Sequence, residues 1–173
     1  MLLDRGQRAL GGADRGDADA LVAEQELRLG PALVDLADQV LAEAKERAGS
    51  IPVGDGTLLD DPLVSTRIAE LENELLALEL TALRVVANST DGKPHPASSI
   101  LKLKGSELQQ AVSELFLDLA GPLALASGAT EGSDVPEWAR VTAPTYLNLR
   151  KASIYGGSNE IQRQIIAGTI LGL

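Results

Sequence analysis

Two stretches of this 173-residue chain restrict its fold more than any other feature. Between residues 62 and 88 the apolar side chains fall at Leu63, Ile68, Leu71, Leu75, Leu78, Ala82, Val85 and Val86. Between 97 and 120 they fall at Ile100, Leu103, Leu108, Val112, Leu115 and Leu119. Steps of three and four put such residues on one side of an α-helix, whereas a half-buried strand would alternate. Asp61-Pro62 starts the first helix well, with Asp as N-cap and Pro at the first helical position. "STDGKPHP" (89–96) separates the two runs, and Gly121-Pro122 stops the second.

The remaining segments follow the same logic. Residues 1–19 carry glycines at 6, 11, 12 and 16 and read as a poorly ordered leader, because each glycine costs a helix about 1 kcal/mol relative to Ala. From Asp19 to about Ala48 the period becomes helical, with Pro31 expected to kink or split the run. "GSIPVGDGTLLDDP" (49–62) and "ASGATEGSDVP" (126–136) read as loops. A shorter helix is expected over 137–150 and a last one over 158–170. The whole predicts an all-α domain over 20–173: an up-and-down four-helix bundle with a short extra helix.

Composition narrows the function. Aromatics make up only 2% of the chain, so the core must be aliphatic. The net charge of −10, with scattered basic residues, disfavours a nucleic-acid surface. With no cysteine and one histidine, thiolate chemistry and a His/Cys zinc site are excluded, and no metal is expected. No apolar run approaches the ~20 residues of a membrane span, and the N-terminus does not read as a secretory signal. A cytoplasmic location is the expectation.

The end of the chain holds the candidate site: "SIYGGSNEIQRQIIAGTILGL", residues 153–173. Gly156 and Gly157 precede a helix that Ser158 or Gly157 would cap, and Glu160 falls in its first turn, where negative charge suits the helix dipole. Glycines before a helix leave backbone N–H groups open to an anion or to the polar edge of a nucleotide. The same pair also serves a plain interhelical turn. His95 reads as an exposed turn residue, Trp138 as a packing anchor for the short helix, and Arg163 as half of a structural ion pair.

"YLNLRKASIYGGSNEIQRQIIAGTILGL" resembles the closing signature of the acyl-CoA dehydrogenase family, in the branch ending in "YGGSNEIQR". "DDPLVSTRIAELENELLALELTALRVVA" and "DGKPHPASSILKLKGSELQQAVSELFLDLAGP" resemble the two long helices of that family's C-terminal bundle. The resemblance covers about 60–173 well and 20–48 weakly. It implies FAD as cofactor, an acyl-CoA thioester as substrate, and α,β-desaturation: a base takes the α-proton while the β-hydride passes to the flavin. It also implies an N-terminal helical domain and a middle β-domain, which this sequence lacks.

Carried over residue by residue, the resemblance implies that Ser158 and Glu160 lie at the cofactor. Tyr155, Gly156 and Gly157 would line the substrate, with Gly157 approaching the thioester. Asp118 and Gly121 would face the FAD of a neighbouring subunit, Asp118 standing where many members have glutamine. An arginine–phenylalanine–glycine motif that holds the flavin nucleotide in many members is expected within 49–62 and is absent. Gly156 occupies the position of the usual catalytic glutamate. Other members place the base on the first helix of the bundle, which corresponds here to "LVAEQELRLG". Glu24 and Glu26 lie about 200° apart on a helix. Glu26, on the side of Leu29 and Leu33, is the candidate base and Glu24 the alternative; both also suit a solvated helix face.

Two functions follow. The first is an FAD-linked acyl-CoA dehydrogenase represented by its C-terminal domain. The second is a non-catalytic helical subunit, or remnant, that binds a fuller homologue. The chain could also be part of a longer product, which the poor match of 1–19 suits. In either case a homo-oligomer or hetero-oligomer is expected.

Overall fold

The computed structural model describes residues 37–88, 95–126 and 134–173. The expected leader, the start of the first helix, and both Glu24 and Glu26 lie outside the described residues. Helix α1 covers residues 37–50. Helix α2 is Pro62–Asn88 and α3 is Ser98–Ala120, the two longest described elements. Helices α4 (Glu137–Arg140) and α5 (Thr142–Leu149) follow, and α6 (Asn159–Ile166) continues into a wider π-turn over Ala167–Leu171.

The helices run up and down, as side-chain pairs show. Lys45 on α1 pairs with Glu72 on α2, and Lys104 on α3 pairs with Glu74 at 3.0 Å. Gln110 on α3 meets Leu149 and Arg150, while Lys102, two turns earlier, meets Ala152. Both α5 and α6 lie along α3, and α4 packs chiefly on the 3₁₀ turn Gly121–Ala126 that follows α3.

The core is most of the aliphatic stripe read from the sequence, but Leu63 and Val86, counted in that stripe, are exposed. Ile68, Leu71, Leu75, Leu78 and Ala82 of α2 pack with Leu108, Val112, Leu115 and Leu119 of α3 and with Leu41, Ala44 and Ala48 of α1. A smaller cluster of Ala120, Ala124 and Ala139 sits at one end, and Trp138 packs on both clusters, as an anchor should. Arg47 lies over the Trp138 ring, 5.7 Å from its centroid.

Asp61 caps α2 as expected, its carboxylate accepting from the Leu63 N–H at 2.8 Å. Three readings are corrected. Segment 49–62 is not simply a loop. Pro52–Val53 pairs antiparallel with Gly56–Thr57, and Leu58–Asp60 adds a 3₁₀ turn. The Asp60 carboxylate accepts from both the N–H and the hydroxyl of Thr57 at 2.8 Å, which ties the turn to the strand end and lowers the Asp60 pKa. The helix expected over 137–150 is broken at Val141. Pro144 is the cause: inside a continuous helix it would meet the carbonyl four residues back, whereas a restart at Thr142 puts it in a first turn, where no N–H is needed. His95 is half-buried rather than exposed, and its Nδ1 accepts from the Ala97 N–H at 3.1 Å before α3 begins.

Candidate functional site

The turn Tyr155–Ser158 is built from both ends. On its α6 side, Ser158 occupies the N-cap position in extended backbone and its carbonyl accepts from the Gln162 N–H at 3.0 Å. Gly156 and Gly157 have φ of 67° and 87°, in the left-handed region that favours glycine. The two differ in surroundings. A Cβ on Gly156 would meet nothing within 4 Å, whereas one on Gly157 would lie 2.7 Å from Gln162 Nε2. Gln162 is buried, and its amide reaches the Gly156 carbonyl at 3.4 Å. The turn is therefore closed beneath Gly157 and open above Gly156. Tyr155 and Ile154 are exposed beside it.

The first turn of α6 is already partly neutralised. Glu160's carboxyl is held below its ordinary range by its own backbone N–H first, then by the Ser158 hydroxyl, with Arg163 and Lys102 adding attraction. Arg163 forms the expected ion pair, with Glu107 at 3.1 Å.

On the other side the turn is held by a row of α3 side chains that sequence reasoning missed. The Lys102 ammonium donates to the Ala152 carbonyl at 3.0 Å and to Asn159 Oδ1 at 3.2 Å. The Ser106 hydroxyl lies 3.1 Å from the same Oδ1, and both Ser106 and Asn159 are buried. The Gln110 amide donates to the Leu149 and Arg150 carbonyls at 3.2 and 3.1 Å. The Arg150 guanidinium returns the contact to the Gln110 carbonyl at 2.9 Å and the Ser113 hydroxyl at 3.0 Å. Residues 102, 106, 110 and 113 are one helical stripe. They hold the backbone carbonyls of Leu149, Arg150 and Ala152 before the turn and the Asn159 side chain after it, and so fix where it stands. Burial lowers the Lys102 pKa, and Glu160 opposes that shift.

Asp118 and Gly121 do not join this group. They lie at the C-terminal end of α3, where the Gly121 N–H bonds the Asp118 and Leu117 carbonyls and φ is 52°. Twelve residues separate Asp118 from Ser106, about 18 Å of helix. Burial raises the Asp118 pKa and Glu114 adds to the shift, while Arg67 opposes it. An apolar cavity of about 360 Å³ lies between α1, α3 and α5, lined by Val40, Leu108, Val112, Phe116, Trp138 and Leu149. It does not include the turn. Among the described residues no cluster of His, Asp or Glu could hold a metal, and no helix is long and apolar enough to cross a membrane.

Residues 24–171 match the acyl-CoA dehydrogenase C-terminal domain. The chain belongs to the acyl-CoA dehydrogenase family. It is 32% identical over 136 residues to the acyl-CoA dehydrogenase IpdE1 of Mycolicibacterium smegmatis, a match covering 78% of this chain and 32% of that one. The chain thus spans about a third of the length of the curated relatives it matches. Butyryl-CoA dehydrogenase from Megasphaera elsdenii shares the fold, with a TM-score of 0.67 at 19% identity over 91% of this chain and 39% of that one. The ChsE4-ChsE5 complex from Mycobacterium tuberculosis superposes with a TM-score of 0.63 at 25% identity, over 79% of this chain and 34% of that one. Membership identifies the helical architecture as the acyl-CoA dehydrogenase C-terminal bundle.

Proposed function

We propose that this chain supplies the helical wall of an FAD-linked acyl-CoA dehydrogenase site and works within an assembly. The observation that carries the reading is the Tyr155–Ser158 turn, open above Gly156 and fixed from α3 through Lys102, Ser106 and Gln110. A thioester needs an open backbone face, and Gly156 leaves one. The Ser158 hydroxyl and the backbone around it suit the polar edge of a flavin. FAD bound there would supply the hydride acceptor for α,β-desaturation of an acyl-CoA. In this reading Tyr155, Gly156 and Gly157 line the substrate and Ser158 and Glu160 face the cofactor. Asp118 and Gly121, a helix length away, face the FAD of a neighbouring subunit.

Gly156 has no carboxylate to take the α-proton, so the base must come from elsewhere. Glu26 is assigned that role, with Glu24 the alternative. The assembly joins this chain to itself or to a fuller homologue, in the cytoplasm. A likeness to the ChsE4-ChsE5 complex supports assembly.

The second reading, a non-catalytic subunit that binds a fuller homologue, draws on segment 49–62. There the structure has a small hairpin closed by Asp60, with no arginine to hold a flavin diphosphate.

One experiment separates the two. The chain is purified with and without a homologous full-length dehydrogenase, flavin absorbance is recorded, and α-proton exchange on an acyl-CoA is followed. Glu26→Gln should abolish exchange while leaving flavin bound, because glutamine keeps the shape but cannot accept the proton. Exchange in Glu26→Gln at the wild-type rate would move the base to the partner. No exchange in any reconstitution would favour the non-catalytic subunit.

A further inference from the structure

The apolar cavity between α1, α3 and α5 is larger than the voids a close-packed interior ordinarily leaves, few of which exceed a water molecule; it measures about 360 Å³. The chain has one Phe and one Trp. Phe116 and Trp138 both line the cavity, with Val40, Leu78 and Val112. Gly105 lines it too, from the interior of α3. Glycine inside a helix is destabilising relative to alanine. Neither the backbone nor the packing requires it at this position. Its φ is outside the left-handed region. A Cβ there would have Leu78 Cδ2 at 4.0 Å, an ordinary van der Waals contact. What the missing side chain leaves is room in the cavity.

We infer that this cavity is a binding site for an uncharged medium-chain molecule, an alcohol or ketone, with its oxygen at Gln109. The size follows from a cavity of about 150 Å³, which holds benzene; in proportion 360 Å³ holds at most about 14 non-hydrogen atoms. Along α3 the lining runs from Gly105 to Phe116, about 16 Å of helix. A space of that volume drawn out over that length is narrow and suits one extended chain. Charge is excluded by the walls. Glu43 is the only charged side chain among the described lining residues, and Arg47 already pairs with it at 3.0 Å. An ionised ligand would enter without a counter-ion. The polar end is set by what remains unspent. The Ser113 hydroxyl donates to the Gln110 carbonyl at 2.7 Å and the Thr142 hydroxyl to the Ala139 carbonyl at 2.8 Å. The half-buried Gln109 amide has no hydrogen-bond partner among the described residues. An acyl-CoA is not the ligand, because its phosphates are anionic and the cavity does not include the Gly156 turn. The inference is independent of the flavin reading.

Trp138 is the chain's one tryptophan, so its fluorescence reports on the cavity wall directly. 1-Octanol should shift the emission saturably, with a dissociation constant on the order of 0.1–1 mM. Octanoate, the same chain with a charged end, and octanoyl-CoA should bind at least about tenfold more weakly. Gln109→Leu keeps the wall apolar but removes the amide, and should weaken 1-octanol about 5–10-fold. Gly105→Leu should fill the cavity and abolish the shift while keeping the wild-type circular dichroism. Gly105→Ala, the milder change, should raise the melting temperature by about 2–4 °C, since it replaces a helix glycine that packing does not need. Wild-type emission unmoved by 1-octanol up to about 3 mM overturns the inference. So does a shift that Gln109→Leu and Gly105→Leu both leave unchanged, which places the binding elsewhere. Octanoate or octanoyl-CoA binding as tightly as 1-octanol overturns the uncharged class. Melting that falls in Gly105→Ala overturns the space-keeping role of the glycine.

Discussion

Adjacent glycines at positive φ invite the same explanation, yet Gly156 and Gly157 should respond differently to alanine. At Gly156, φ is 67° and the added methyl meets open space. The cost is the left-handed backbone alone, about 1 kcal/mol. At Gly157, φ is 87°, further from the left-handed minimum near +57°. The methyl would also stand 2.7 Å from Gln162 Nε2. Gln162 is the far end of a flexible side chain but it is buried, so moving it removes its contact with the Gly156 carbonyl and disturbs the packing below the turn. That adds about 1 kcal/mol or slightly more, for a total near 2–3 kcal/mol. Urea unfolding followed by circular dichroism should therefore place Gly157→Ala about 1–2 kcal/mol below Gly156→Ala. Adding Gln162→Ala should relieve the clash, so the Gly157→Ala/Gln162→Ala pair should be non-additive by about 1 kcal/mol. Equal costs at the two glycines, within about 0.5 kcal/mol, or strict additivity with Gln162→Ala, would refute this account of the turn.

Two further outcomes are expected. Asn159→Ala should cost about 1–2 kcal/mol, because the Lys102 ammonium loses an acceptor and the tie from α3 to α6 is cut, while the Ser106 hydroxyl keeps the Leu103 carbonyl at 2.8 Å; melting should drop by about 2–8 °C, while Asn148→Ala, which removes only an exposed contact to Lys151, should move it by less than about 1 °C. The acid side of the stability profile should depend on Glu160: its folded pKa lies below the unfolded one, so its contribution is present above the unfolded value and is lost as pH falls through the folded value. Glu160→Gln should melt below wild type at neutral pH and converge with it as the carboxylate range is crossed; a constant gap down to low pH would count against the reading.

The long helices were legible because each buries one continuous stripe, and that periodicity survives every local detail. Breaks with a single local cause were harder to read. Pro144 splits 137–149 because its ring cannot sit inside a helix, a constraint visible in the sequence but easily overlooked in a run of otherwise helical spacing. The hairpin at 52–57 has strands of two residues each, too short for any alternation to show. Its stability depends on Asp60 reaching back to Thr57, and nothing in the spacing announces that contact.

The candidate site divides in the same way, and α3 shows why. Its apolar stripe, Leu108, Val112, Leu115 and Leu119, was read correctly as core. Lys102, Ser106, Gln110 and Ser113 lie about 140° around the same helix, where polar residues ordinarily face water. Here they face backbone instead. The segment 149–159 changes from α-helix to 3₁₀ turn to glycine turn, and each change leaves carbonyls without helical partners. Leu149, Arg150 and Ala152 supply such carbonyls, and the α3 stripe supplies the donors. The polar face of α3 is thus explained by the irregularity of the segment it meets. That irregularity is needed to place two consecutive glycines at positive φ beside a helix start. A regular helix through 149–166 would satisfy its own carbonyls, leave Lys102 and Gln110 unused, and close the open face above Gly156. The glycine pair and the α3 stripe are one device, and only the glycines carry a signal that a linear reading can detect.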